Sequence, residues 1–198
     1  MHARTLPYRF ILTALTVIAA LLLTACGDTT ATDAPDDIDL NDADVTFLEG
    51  MVPHHSQAVE MARIVPDRTD RPELNALAEQ ITTSQNEEID TMRQLLTDAG
   101  ERPAPTGMDG MDGMDQGGGG MAGMMDDSEM QSLMTAEGEE FDLMFIDMMI
   151  RHHEGAIESS QDVLADGQSP QVADLAEGIV AEQESEIEQM REWESQWS

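Results

Sequence analysis

The segments LAEQITTSQNEEIDTMR (residues 77–93) and LAEGIVAEQESEIEQMR (residues 175–191) match each other at an offset of 98 residues. The same offset aligns MVPHHSQAVEMA (residues 51–62) with MIRHHEGAIESS (residues 149–160). Two matches in one register indicate a duplicated unit of two elements, not two chance similarities. The duplication decides the fold, because any structure of one half must also fit the other half.

Each matching segment has the 3.6-residue periodicity of an amphipathic helix, and proline and glycine mark its ends. The pattern predicts helices over residues 43–65, 71–99, 137–166 and 170–196. Short connections make two antiparallel hairpins, and neither hairpin can bury its apolar face alone. We therefore predict an all-α fold, a four-helix bundle built from two duplicated hairpins with pseudo-twofold symmetry.

The chain outside these helices differs in composition. Residues 1–25 place two arginines before an apolar stretch that ends, with the following cysteine, in LTAC (residues 23–26), which is typical of a lipoprotein signal peptide (1–25) with Cys26 as the lipidated residue. A plain secretory signal or an uncleaved anchor is the alternative, and either interpretation exports the chain. The remaining predicted regions are a disordered tether (26–42) and a bundle domain (43–198) made of hairpin 43–100, a flexible Met/Gly/Asp-rich linker 101–127 and hairpin 128–198.

The composition limits the partners and the chemistry. The chain has 41 acidic and 9 basic residues, none of them lysine, and a net charge of −32. Nucleic acid is excluded as a partner, because binding a phosphate backbone depends on a basic surface. The acidity also fits a salt-adapted organism, so it says little about function. Cys26 is the only cysteine, so if it is lipidated any metal site must use His, Met, Asp or Glu.

Four of the five histidines stand in two adjacent pairs, each following a methionine by one helical turn. Spacings of three and four residues bring side chains together on one helical face. Thioether and imidazole form a soft-to-borderline donor set that suits copper, above all Cu(I), with Ag(I) as its analogue and Cu(II) as the second choice. The predicted metal ligands are Met51, His54, His55, Met148, Met149, His152 and His153.

Polar residues interrupt the apolar seams of the second and fourth predicted helices. Buried amides and carboxylates are costly unless they are paired, so these positions require partners. Histidines, or a metal held by histidines, would serve. The candidates for additional ligands or for hydrogen-bond partners of the ligands are Gln85, Glu88, Met92, Gln183, Glu186 and Met190.

The linker carries thioethers that could wrap a soft ion without a preformed fold: Met108, Met111, Met114, Met121, Met124 and Met125. Methionine also fills gaps in apolar cores, and we predict that role for Met61 and Met134. The linker has no core to fill, so its methionines are predicted to be accessory copper ligands.

Two further hypotheses belong to other functional classes. In the first, the protein is a metal-independent envelope interaction module whose His/Gln/Glu layer only fixes bundle geometry. In the second, bound copper carries weak oxidase or reductase chemistry. The sequence lacks the inward Glu-x-x-His motifs of a di-iron site and shows no nucleophile with a positioned base or phosphate loop, so we predict that the protein is not an enzyme.

FLEGMVPHHSQAVEMA and FDLMFIDMMIRHHEGAIES resemble domain-of-unknown-function family 305, and the resemblance covers residues 43–197. It implies a ferritin-like four-helix bundle, usually exported, with some members linked to extracytoplasmic copper binding and tolerance. By position it points to the same paired methionines and histidines. Pro53 stands where the second half has Arg151, which predicts a kink or a restart of the first helix before its histidines.

Together these observations predict an extracytoplasmic, cell-envelope protein, anchored to the membrane through lipid on Cys26, that sequesters copper or transfers it. The sequence does not identify the protein that donates or accepts the metal. Because imidazole must be neutral to bind a metal and its unperturbed pKa is ~6.5, copper uptake by the histidines is predicted to fall as the pH drops through about 6.

Overall fold

The structure, a computed structural model, describes residues 38–103, 105 and 121–197. The helices are α1 (Asp42–Arg63), α2 (Pro72–Asp98), α3 (Asp127–Thr135), α4 (Gly138–Asp166) and α5 (Pro170–Trp197), with a 3-10 turn at Val65–Asp67. This part of the chain contains no β-strand, so the predicted all-α class is confirmed. No helix among these residues is long and apolar enough to cross a membrane. The predicted signal peptide, Cys26 and residues 26–37 of the tether lie outside the described residues.

The four long helices begin and end within two residues of the predicted positions, whereas α3 was not predicted. Asp126 starts α3 by accepting hydrogen bonds from the backbone N–H groups of Ser128 and Glu129, and the Glu129 carboxylate accepts a hydrogen bond from the Asp126 N–H. This capping box is a helix-start signal that the linker interpretation overlooked. The hydrogen bond from the Ser128 hydroxyl, with that from the Glu129 N–H, lowers the pKa of Asp126.

Two methionines predicted to fill the core have different outcomes. Met61 on α1 is fully buried, as predicted. Met134 on α3 is 42% exposed, so its predicted core role is wrong. The short α3 buries Met130 and Leu133 instead, and Met134 lies on its outer side.

Pro53 does not interrupt α1, which runs without a break from Asp42 to Arg63. The predicted restart is therefore wrong. Proline removes one hydrogen bond from a helix interior, but the residues on both sides of it, Val52 and His54, are fully buried. The packing of Val52 and His54 in the interior thus keeps α1 helical across Pro53.

We call α1 with α2 the first half of the molecule, and α4 with α5 the second half. Within each half the two helices pack against each other, and α1 also packs against α4. Buried aspartates at equivalent positions join the halves. Asp44 accepts the backbone N–H groups of Gln168 and Ser169 before α5, at 3.1 and 3.2 Å, and Asp142 accepts the Arg71 Nε–H before α2 at 2.6 Å.

The buried core consists of two apolar clusters. One includes Met61, Leu74, Phe141, Phe145, Met149 and Met190, and the other includes Phe47, Met51, Met92, Ala156, Val163 and Val172. Each long helix passes from one cluster to the other at its buried polar residues, so these residues form one layer across the molecule. Along the chain, α1 and α5 run from the cluster that contains Met51 to the one that contains Met61, and α2 and α4 run the other way. The helices are therefore antiparallel within each half, and α1 is antiparallel to α4. This arrangement supports the predicted four-helix bundle.

Candidate metal centre

The two histidine pairs meet in the polar layer between the apolar clusters. All four side chains are fully buried, on α1 and α4. The ring centroids of His54 and His152 lie 3.8 Å apart, with the ring planes tilted by 35°. Within each helix the centroids of neighbouring rings are 6.3 Å apart (His54 and His55) and 6.4 Å apart (His152 and His153). The residues that the repeat singled out are thus brought together at the centre of the molecule.

Carboxylates on α2 and α5 hold the outer histidine of each pair. The Nε2 atom of His55 lies 2.7 Å from Glu88 Oε2, and that of His153 lies 2.7 Å from Glu186 Oε2. An ionised carboxylate only accepts hydrogen bonds, so Nε2 donates, and in the neutral form of the ring Nδ1 is left with its lone pair. Metal-ligating histidines in proteins commonly donate their second ring N–H to a carboxylate or carbonyl in this way.

His54 follows the same pattern with a backbone acceptor. Its Nε2 atom lies 3.2 Å from the carbonyl oxygen of Ala122, so Nε2 donates and Nδ1 retains the lone pair. Three of the four imidazoles therefore have one nitrogen fixed by a protein acceptor and the other nitrogen available. A fixed ring with a free lone pair is the arrangement that a metal ligand requires.

The polar layer is incompletely satisfied. Among the described residues, buried atoms without a hydrogen-bond partner include Nδ1 of all four histidines, Nε2 of His152, and both amide atoms of Gln85 and Gln183. Buried polar atoms without partners are rare and costly. Glu88 and Glu186 are histidine partners, as the sequence suggested, whereas the two glutamines are not. The layer thus holds several lone pairs that an electron-pair acceptor would satisfy.

The inner histidines are neutral at physiological pH. Burial, reinforced by the neighbouring His55, lowers the pKa of His54 to about 3. Burial, reinforced by His54, lowers the pKa of His152 well below its usual value. Because only a neutral imidazole can ligate a metal, these environments keep both rings competent far below neutrality.

The predicted methionine ligands face the interior. Met51 and Met149 are fully buried and Met148 is nearly so, one turn before the histidines. Met92 and Met190 are also fully buried, each in an apolar cluster. Within the described ranges no three His, Cys, Asp or Glu side chains are arranged to hold a metal ion. The buried thioethers of Met51 and Met149 are therefore candidate donors beside the histidines.

The two carboxylates have unequal surroundings. Glu186 Oε1 accepts a second hydrogen bond, from Gln80 Nε2 of α2, at 2.9 Å. The position equivalent to Gln80 is Gly178, so no such amide reaches Glu88. The Glu88 side chain is 16% exposed and that of Glu186 is 3% exposed. Sequence analysis missed Gln80, although the mismatch of glutamine and glycine at this repeat position was readable.

A short segment, residues 121–125, lies against the histidine layer, and we call it the strap. Gln57, which is buried on α1, donates from Nε2 to the Met125 carbonyl at 2.9 Å and accepts the Met125 N–H at 2.8 Å. Ala122 is exposed while its carbonyl contacts His54, so the strap is one residue thick between His54 and solvent. The strap therefore covers the histidine layer at His54.

Glycines allow the strap to approach α4 closely. A Cβ atom on Gly155 would lie 1.8 Å from the Ala122 carbonyl oxygen. Gly123 has a φ of +82°, in the left-handed region that favours glycine, and a Cβ there would lie 2.3 Å from the Arg151 carbonyl oxygen. Gln57 and Gly155 occupy equivalent repeat positions, and sequence analysis missed this signal too.

The contacts of the strap contradict the prediction that the linker is flexible and that its methionines have no core to fill. Met125 is buried in the apolar cluster that contains Met61, and Met121 packs against the other cluster. Met124 is half-buried. The other predicted linker thioethers, Met108, Met111 and Met114, lie outside the described residues. The linker interpretation failed for residues 121–127 because it was based on composition and ignored the partners on α1 and α4.

The sequence family and one relative were identified by comparison. The family model described as a domain of unknown function (DUF305) matches residues 44–194. An uncharacterized protein of Acanthamoeba polyphaga mimivirus is 42% identical over 53 residues, which are 27% of this chain and 35% of that protein. The match thus spans about a third of that relative's length.

Solved structures share this fold. A DUF305 protein of Streptomyces coelicolor, described as secreted, superposes with a TM-score of 0.68 at 32% identity, over 78% of this chain and 93% of that chain. CopM in its Cu(II)-bound form superposes with a TM-score of 0.67 at 34% identity, over 78% of this chain and 97% of that chain. CopM has also been solved in Cu(I)-bound and Ag-bound forms. Because the family model covers most of its length, this chain belongs to the DUF305 family.

Proposed function

We propose that this protein binds copper outside the cytoplasm, preferentially as Cu(I) and with Ag(I) as an analogue, and sequesters it or transfers it to another protein. The proposed ligands are the Nδ1 atoms of the paired histidines and the thioethers of Met51, Met148 and Met149. Cu(II) is the less favoured ion because thioether donors are soft. Lipid on Cys26 is proposed to hold the protein at the membrane.

The observation that carries this proposal is the orientation of the imidazoles. Glu88, Glu186 and the Ala122 carbonyl each hold one ring nitrogen, and the other nitrogen of each ring has no partner. A layer that served only to fix the fold would be expected to satisfy its buried polar atoms internally. Here the unsatisfied atoms include the Nδ1 lone pairs of these rings, which a metal ion accepts.

The structural neighbours support the same assignment. CopM, at 30–34% identity, has been solved with Cu(I), Cu(II) and Ag. The Streptomyces coelicolor neighbour is described as secreted, which supports an extracytoplasmic location. These properties belong to the neighbours, and their transfer to this chain is part of the proposal.

The rival function is a metal-independent envelope interaction module. The two His–Glu pairs favour it, because each links two helices through a buried hydrogen bond of 2.7 Å. Against it stand the Gln85 and Gln183 amides, which a purely structural network would use and which have no partner here.

Competition titration with a Cu(I) chelator separates the two functions. Met51→Leu/Met149→Leu removes two thioethers at nearly constant volume, and Met61→Leu/Met134→Leu is the matched control outside the layer. We expect the first double variant to bind Cu(I) at least tenfold more weakly, and the control to bind as the wild type does. No Cu(I) binding by the wild type would leave only the rival, whereas equal affinity for all three proteins would show that Met51 and Met149 are not ligands.

The proposal further assigns binding without turnover. Redox catalysis at copper would need an open coordination position and access for a substrate, whereas all four histidines are fully buried. We expect the copper-loaded protein to consume oxygen in the presence of a reductant no faster than the same concentration of free copper. Saturable turnover above that background would assign oxidase activity instead.

A further inference from the structure

The two halves carry different numbers of methionines beside their histidine pairs. In the second half both Met148 and Met149 precede the histidines on α4. In the first half Met51 is equivalent to Met149, but Gly50 stands at the position equivalent to Met148. A donor set built from α1 alone therefore lacks one thioether.

The strap fills the space that Gly50 leaves. A Cβ atom on Gly50 would lie 3.2 Å from Met121 Sδ and 3.4 Å from Met121 Cγ. These distances are at or inside ordinary van der Waals contact, so Met121 occupies the volume into which a longer side chain at position 50 would project. Met121 also packs against the apolar cluster that contains Met51.

We propose that Met121 is a metal-ligating thioether of the first half, equivalent to Met148 in the second half, for a soft monovalent cation such as Cu(I) or Ag(I). This inference rests on the proposed function and extends it by naming a ligand that comes from outside the helical repeat. Met51 on α1 and Met121 on the strap would together supply two sulfur donors, as Met149 and Met148 would in the second half.

Contacts along the strap fix Met121 in this place. The next residue, Ala122, accepts a hydrogen bond from His54. Four residues after Met121, Met125 makes two hydrogen bonds with the buried Gln57. The absence of a side chain at Gly155 lets the Ala122 carbonyl reach α4. Met121 is thus positioned by contacts to both helices that carry the histidines.

The direct test measures Cu(I) affinity by chelator competition with the full-length protein. Met121→Leu and Met148→Leu each remove one sulfur at nearly constant volume, and Met134→Leu on α3 is the control. We expect the first two substitutions to lower the affinity by similar factors, roughly tenfold each, and the control to leave it unchanged. Gly50→Met in a Met121→Ala background should restore affinity, because it supplies the sulfur from α1 and the alanine leaves room for the new side chain.

Displacing the strap provides an independent test. Gly155→Ala places a methyl group against the Ala122 carbonyl, so it should expel the strap and lower Cu(I) affinity as Met121→Leu does. Combined with Met121→Leu it should add no further loss. Gly178→Ala on α5 is the matched control, because its new Cβ atom would meet nothing within 4 Å.

A metal-free measurement separates failure of this inference from failure of the proposed function. In the absence of metal, peroxide oxidation of Met121 to the sulfoxide should accelerate in Gly155→Ala and not in Gly178→Ala. Wild-type affinity in Met121→Leu together with weakened binding in Met148→Leu would overturn the ligand role of Met121 and leave the proposed function standing. Absence of Cu(I) and Ag(I) binding by the wild type would overturn both, even if the oxidation result shows that Met121 is docked.

Discussion

In the second half of the molecule, Glu186 accepts hydrogen bonds from His153 and from Gln80 of the opposite half. In the first half, Glu88 accepts a hydrogen bond from His55, but Gly178 occupies the place from which an equivalent amide would come. The two histidine–carboxylate distances are nevertheless both 2.7 Å. Duplication has kept the histidine–carboxylate pairs alike while the residues around them have diverged.

The strap shows why the halves had to differ. A single segment that lies between two equivalent helices cannot make the same contacts with both. On α1 it needs the Gln57 amide, which fixes Met125, and at the equivalent position on α4 it needs the absence of a side chain, Gly155. One asymmetric segment thus imposes different residues on equivalent sites.

The largest expected effect is a loss of stability at acid pH, to which the two inner histidines, His54 and His152, should contribute equally. Unfolded histidine binds a proton near pH 6.5, whereas His54 in the folded protein does not do so until about pH 3. The unfolded state therefore binds more protons, and stability should fall as the pH drops from about 6.5 toward 3. Each inner histidine should contribute a slope of about 1.4 kcal/mol per pH unit to the free energy of unfolding.

Urea unfolding of the wild type, His54→Gln and His152→Gln between pH 4 and 7 checks this expectation. Each substitution should remove one such slope, and the two losses should be equal within error. Wild-type and variant curves that run parallel would mean that the buried rings are protonated in the folded state. A loss in one variant only would mean that the inner pair is as unequal as its surroundings.

The second effect tests the difference in surroundings between Glu186 and Glu88. Glu186→Gln removes a buried charged acceptor of two hydrogen bonds and should lower the free energy of unfolding by about 2–4 kcal/mol. Glu88→Gln removes a partly exposed acceptor of the His55 bond and should cost about 1–2 kcal/mol. Chemical denaturation at pH 7 measures both. A larger loss for Glu88→Gln would contradict the assigned role of Gln80.

The smallest effect comes from repairing the asymmetry. Gly178→Gln should place an amide near Glu88, as Gln80 is placed near Glu186, and should gain about 1 kcal/mol beyond Gly178→Ala. The alanine variant is needed because replacing a helical glycine is itself stabilising by about 1 kcal/mol. If the gain of the glutamine variant persists when Glu88 is also changed to Gln, the new amide does not act through Glu88.

Much of the fold was predictable because its determinants are local and repeated. The 3.6-residue apolar pattern, Pro72 and Pro170 at helix starts, and the offset of 98 residues were enough to place four helices. The histidine pairs and their carboxylates followed, since inward polar residues at equivalent positions require partners. Gly100, with a φ of +81°, ends its helix as the sequence suggested.

What the sequence could not supply were contacts between distant residues. Gln57 and Met125 are 68 residues apart, and a composition rich in Gly, Met and Asp gave no reason to expect order there. The structure changes the premise of the pH prediction for a similar reason. The prediction that copper uptake falls near pH 6 used the unperturbed pKa of histidine, whereas burial and a neighbouring histidine lower the pKa of His54 to about 3. Burial depends on the assembled core, so uptake by the inner pair is expected to continue below pH 6.

The central claim is that the buried layer binds copper through imidazole and thioether together. X-ray absorption spectroscopy of the protein loaded with one equivalent of Cu(I) tests it most directly, because the first coordination shell distinguishes nitrogen from sulfur donors. We predict a shell that contains both, and a smaller imidazole contribution in a His54→Gln/His152→Gln variant, which keeps only His55 and His153. A shell of sulfur alone would place the copper among methionines away from the histidines and would contradict the account.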